Sequence, residues 1–94
     1  MPTELLFRAN AYERECAATV TAVNERGGIL PDRTVFYAQG GGQPGDKGTI
    51  EIGGRGIAIA TTVYDQSDKS LVVHVPAEGE APPPVGATAT ARLD

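Results

Sequence analysis

Few residues of this chain carry reactive side chains. Among its 94 residues there is one histidine, His74, and one cysteine, Cys16. One His and one Cys, with no partner at ligand spacing, do not assemble a zinc centre. Cys16 sits in the small apolar run Cys-Ala-Ala-Thr-Val and reads as core; a nucleophilic role would need a basic partner that the sequence does not single out. His74, inside Leu-Val-Val-His-Val-Pro, reads as a structural strand residue. Asp32 and Thr34 are of the type that pins a loop through side-chain to backbone hydrogen bonds. They open residues 32–48, Asp-Arg-Thr-Val-Phe-Tyr-Ala-Gln-Gly-Gly-Gly-Gln-Pro-Gly-Asp-Lys-Gly. No catalytic residue and no metal ligand is assigned on these grounds, and the glycine-rich stretch becomes the candidate binding surface.

Three consecutive glycines, Gly40, Gly41 and Gly42, lose more backbone entropy on ordering than any other residues would. Such a run is expected where the chain adopts positive φ or lies close against something. Gly40, Gly42 and Gly45 formally match Gly-x-Gly-x-x-Gly. A dinucleotide site needs that pattern to open a helix after a strand, so that the helix N-terminus faces the pyrophosphate. Pro44 interrupts the match and the strand-like Lys-Gly-Thr-Ile follows it, which excludes that reading. Pro44-Gly45 alone satisfies a type II turn. The remaining glycines and Gln43 exceed what a turn requires, and successive N–H groups can cradle an anion or a carbonyl oxygen. On residue chemistry alone, a ligand-facing loop and a structural corner stand level.

The elements that must position this loop are strands. Residues 16–23 alternate between two faces, with Cys16, Ala18, Val20 and Ala22 on one. Gly27-Gly28 predicts a tight hairpin turn into a short strand at Ile29-Leu30, and residues 34–37 a short apolar strand. Beyond the loop, Ile50 and Ile52 point inward from a strand that turns at Gly53-Gly54. The next long strand places Ile57, Ile59, Thr61 and Val63 on one face. Residues 71–75 form a further strand, and Ala87, Ala89, Ala91 and Leu93 mark a half-buried last one. Residues 77–85, with three consecutive prolines, read as an extended connection rather than a ligand for a proline-binding module. No segment sustains a 3.6-residue apolar period. Many short strands with inward Ala, Val and Cys predict an all-β fold, a small closed antiparallel barrel forming a single domain over residues 1–94. A net charge of −4 disfavours non-specific nucleic-acid wrapping. No apolar run approaches the roughly 20 residues a spanning helix needs, and no signal-peptide pattern opens the chain. A lone cysteine suits a reducing compartment. The expectation is a cytoplasmic protein without membrane contact.

The run Asp32-Arg33-Thr34-Val35-Phe36-Tyr37, followed by Gly40-Gly41-Gly42-Gln43-Pro44-Gly45-Asp46-x-Gly48, closely resembles the AlaX family. These are freestanding alanyl-tRNA editing proteins related to the editing region of alanyl-tRNA synthetase. Val20 to Leu30 resembles the family's first hairpin, residues 71–75 its strand with an embedded His, and residues 86–94 its last barrel strand. Ala38-Gln39 stand where members more often carry Pro-Glu. The resemblance implies a barrel similar to the second domain of elongation factor Tu. It also implies hydrolysis of alanine tRNA mischarged with serine or glycine. In the family, zinc is held by a following editing domain with His-x-x-x-His and Cys-x-x-x-His motifs; that domain is missing from these 94 residues. By resemblance, this chain holds no cofactor itself, and its partners are mischarged tRNA(Ala) and the editing domain. Thr34 is the expected contact to the aminoacyl side chain, with Gly40, Gly41, Gly42 and Gln43 beside it. The alternative is a stand-alone, non-catalytic barrel that binds RNA or a protein.

Overall fold

The computed structural model describes residues 3–6, 14–24, 27–40, 44–81 and 83–93. Eight strands run in order: β1 (Glu4–Leu5), β2 (Glu15–Val23), β3 (Ile29–Pro31), β4 (Arg33–Thr34), β5 (Gly48–Ile52), β6 (Arg55–Tyr64), β7 (Val72–Pro76) and β8 (Thr88–Leu93). Six of them close into an antiparallel barrel in the order β2-β3-β7-β6-β5-β8, with β8 returning to β2. The other two, β1 and β4, form a short parallel pair through Glu4 opposite Arg33 and Leu5 opposite Thr34. No α-helix lies among the described residues. The predicted all-β closed barrel is the observed fold.

The interior is filled by Val20, Ile29, Val35, Phe36, Ile50, Ile57, Ile59, Ala89 and Ala91. Small residues face one another where β2 meets β8, Ala18 opposite Ala89, which leaves room for the bulkier isoleucines of β5 and β6. Gly48 serves the same end. A Cβ there would overlap the Arg92 carbonyl oxygen and crowd the tip of the Phe36 ring, so glycine lets β5 and β8 close over the aromatic side chain.

Closure bends the strands, and the bends alter which side chains face inward. The β6–β7 register shifts between Ile59 and Thr61. Ile57 and Ile59 are buried as expected, but past the irregularity Thr62 is the buried residue, while Thr61 and Val63 are only partly covered. An extra residue in one strand reverses the alternation beyond it. A second shift, between Val20 and Ala22, leaves Ala22 exposed rather than inward.

The turns divide into one that matches the sequence reading and two that differ. Gly53 and Gly54, at φ +59° and +82°, make a two-residue connection between β5 and β6 with both central residues left-handed. The β2–β3 connection is wider than a Gly-Gly turn. Asn24 closes it, its N–H bonding the Gly28 carbonyl (2.9 Å) while its Oδ1 accepts from the Gly28 N–H (2.7 Å). Gly45 does not occupy the positive-φ position of a type II turn. Its glycine has another cause, close contact with β6.

Candidate functional site

Of the residues assigned to the binding surface, Gly41, Gly42 and Gln43 lie outside the described residues. Thr34 and Gly40 are described, together with the neck of the loop on both sides. Tyr37 and Asp46 close that neck. The Asp46 N–H donates to the Tyr37 carbonyl (2.9 Å), and the Tyr37 N–H donates to Asp46 Oδ2 (2.8 Å). Thr62 of β6 holds both limbs: its carbonyl accepts from the Gln39 N–H (2.7 Å) and its hydroxyl donates to the Asp46 carbonyl (2.9 Å). The returning limb lies so close to β6 that a Cβ on Gly45 would overlap the Thr62 carbonyl oxygen. Gly40 is under no such constraint. Its φ is not left-handed, and a Cβ would meet only the Tyr64 ring at 3.7 Å.

Beneath the neck lies a cluster of buried polar side chains, Thr34, Thr62 and His74, all with essentially no exposed surface. Strand pairing assembles it. His74 stands opposite Thr62 on β6 and opposite Ile29 on β3, and Thr34 reaches it from β4. Thr34 Oγ1 lies 2.7 Å from His74 Nε2 and accepts from the Phe36 N–H at 2.9 Å. The Phe36 ring sits 4.9 Å from the imidazole, centroid to centroid, tilted by 57°, an arrangement that suits aromatic quadrupoles. Burial disfavours the imidazolium and lowers the His74 pKa from 6.5 to about 4. The nearby carbonyls of Ile29 and Val72 oppose that shift in part, although neither completes a hydrogen bond of ordinary geometry to Nδ1. At neutral pH the ring is uncharged.

Asp32 and Thr34 both pin the start of the loop stretch through side-chain to backbone bonds, as expected. Asp32 Oδ1 accepts from the Thr19 N–H (2.8 Å), tying the chain to β2. Thr34 does so through the Phe36 N–H. The sequence reading missed Thr62 altogether and gave His74 no partner. The available signal was a lone titratable residue in an otherwise apolar strand, since a buried polar group calls for a hydrogen-bonding partner.

The family model for class II (A) tRNA synthetases matches residues 4–94. The chain belongs to that family. Among similar members, an alanine–tRNA ligase of Pyrobaculum arsenaticum is 38% identical over 92 residues, covering 98% of this chain and 10% of the ligase. That of Methanothermobacter thermautotrophicus is 50% identical over 72 residues, covering 77% of the chain and 8% of the ligase. That of Methanothrix thermoacetophila is 37% identical over 93 residues, covering 98% and 9%. This class II synthetase-family chain thus spans about a tenth of the length of the curated relatives it matches. Those relatives are alanine–tRNA ligases, a broader identification than the freestanding editing proteins that the glycine-loop motif resembles.

Proposed function

We propose that this chain is the barrel part of an alanyl-tRNA editing activity of the AlaX type. Its glycine loop forms one wall of a pocket for the aminoacyl end of alanine tRNA mischarged with serine or glycine. The observation that carries this reading is the anchored loop, tied at its neck by Tyr37, Asp46 and Thr62 above a buried Thr34, in a chain whose relatives are alanine–tRNA ligases. Rigid strands with a tethered loop between them suit a pocket wall, because a binding group is useful only when its support holds it in place.

Within this reading, Thr34 contacts the aminoacyl side chain, and Gly40, Gly41, Gly42 and Gln43 line its approach. Thr34 has no solvent-exposed surface, so a substrate reaches its hydroxyl only by displacing what covers it. A hydrogen bond formed in so enclosed a place discriminates well, since an analogue lacking the group leaves a buried partner unpaired. The described residues hold no group of three or more His, Cys, Asp or Glu that could bind a metal. No zinc is assigned to these residues, and no step of hydrolysis is placed on it in this chain. Hydrolysis belongs to the editing domain.

The test is deacylation of seryl-tRNA(Ala) by a protein carrying this barrel and its editing domain. Thr34→Val is expected to slow serine removal about tenfold or more, the effect of losing one hydrogen bond in a buried site. An unchanged rate removes Thr34 from the pocket. RNA or protein binding by the barrel, with no deacylation by the joined protein, favours the non-catalytic module instead.

A further inference from the structure

The barrel wall is thinnest where β3 meets β7. Among the described residues those strands pair at one position, Ile29 opposite His74. Past it β4, which continues β3, pairs with β1 instead. Residues 3–5 thus fill the gap. On one side the Thr3 N–H donates to the Ser70 carbonyl (2.9 Å), and the Val72 N–H donates to Thr3 Oγ1 (3.0 Å). On the other the Glu4 N–H donates to the Asp32 carbonyl (2.9 Å), and Leu5 stands opposite Thr34. β1 therefore completes the wall between β4 and the start of β7, beside the Thr34–His74 hydrogen bond.

This piece of wall is held more lightly than the rest. β6 pairs with β7 from Ile59 to Tyr64 and with β5 along its whole length, so it leaves only if the barrel is dismantled. β1 spans two residues. Its ion pair, Glu4 with Arg33 at 3.7 Å, is exposed on both sides, where such pairs contribute little. Thr3 is buried, but Leu5 and Leu6 are only partly covered and Glu4 is exposed. Leu6 packs against the core cluster and anchors the segment at its far end. Lifting residues 3–5 gives up little apolar surface, so it costs far less than global unfolding. The Thr3 hydroxyl is the specific latch, because it satisfies a buried Val72 N–H.

We propose that residues 3–5 form a strap that lifts from β4 and β7 while the barrel stays folded. The gap it leaves is the route from solvent to Thr34 and His74, both wholly buried when the strap is down. The strap goes beyond the pocket reading, since it does not depend on what enters. On that reading, its release precedes any contact with Thr34.

The chain's single histidine makes the opening measurable. Diethyl pyrocarbonate acylates a ring nitrogen of an accessible imidazole, and peptide mass spectrometry of the treated 94-residue chain at pH 7 follows the His74 adduct. Backbone hydrogen exchange in the same buffer reports the strap at Glu4 and Val72, and the core at the slowest amides of β5 and β6. Acylation of His74 should keep pace with Glu4 and Val72 exchange and stay flat in urea below the unfolding transition. The core amides should exchange more slowly and respond steeply to urea, because exposing them unfolds the whole barrel. Acylation with the urea dependence of those core amides overturns the proposal.

Thr3→Val keeps the side chain's shape and removes its hydroxyl. It should speed His74 acylation about tenfold, the effect of losing one buried hydrogen bond, while Thr3→Ser should keep the rate of the unaltered chain. Ile57→Val, which weakens the core, should leave the rate unchanged in the absence of urea. Acylation indifferent to Thr3→Val, or raised as much by Ile57→Val, also overturns the proposal. No tRNA enters these measurements, so the two readings fail separately. The strap stands where seryl-tRNA(Ala) hydrolysis is absent, and hydrolysis stands where His74 is reached only by global unfolding.

Discussion

The barrel interior has two unlike walls. Ile50 and Ile57 stand opposite each other on β5 and β6, beside Ala89 and Ala91 of β8, and present only hydrocarbon. Thr34, Thr62 and His74, on β4, β6 and β7, are wholly buried polar groups, with the His74 ring against Phe36 of that core. Hydrocarbon burial is non-directional and tolerates small shifts, whereas buried polar groups are stable only in the arrangement that satisfies them. The apolar wall thus supplies stability and the polar wall supplies geometry. The loop that carries the proposed function is fastened to the polar one.

Lowering the pH separates the walls most strongly. His74 has a folded-state pKa of about 4 against 6.5 when unfolded, so between those values the unfolded chain binds the extra proton. The stabilisation from a neutral His74 is fully present above pH 6.5 and is lost as the pH falls toward 4, by up to about 3 kcal/mol. Urea midpoints at pH 7.5 and 4.5 should show this drop, and His74→Gln should abolish the histidine share of it. An equal drop in both proteins would place the pH sensitivity on the carboxylates.

Thr34→Val comes next. It leaves His74 Nε2 and the Phe36 N–H without partners, at a cost of about 2 kcal/mol. Coupling with His74→Gln in a double-mutant cycle should be clearly non-zero, because the two side chains share one hydrogen bond. On the other wall, Ile57→Val removes one methylene and should cost about 1 kcal/mol. Its denaturation should shift by the same amount at pH 7.5 and 4.5; a pH-dependent shift would mean the walls are coupled. The smallest effect belongs to Gly40→Ala. With no left-handed φ and only the Tyr64 ring nearby, it should change stability by no more than about 0.5 kcal/mol. A marked loss of deacylation in that variant would then report on the loop surface rather than on folding.

Much of the barrel was legible beforehand. Period-2 alternation at residues 16–20, 57–59 and 87–93 located the core face, and Gly53-Gly54 marked a hairpin through its need for positive φ. The glycine stretch announced a special loop, but for reasons that proved mixed. Gly45 and Gly48 are required by close approach to neighbouring strands, and Gly40 by neither approach nor φ. Glycine alone does not tell these cases apart, because freedom and smallness are the same absence of a side chain.

Local order along the chain was enough to determine most of the barrel strands, their inward faces up to the first irregularity, and a motif that points to relatives of alanyl-tRNA synthetase. Only the folded molecule decided that Thr34 and His74, 40 residues apart, share a hydrogen bond. It also decided that Thr62, rather than Thr61, turns inward to hold the neck of the loop. Both depend on barrel closure. Strand pairing brings distant residues into register, and a single register shift exchanges the faces of a strand without any trace in its alternating sequence.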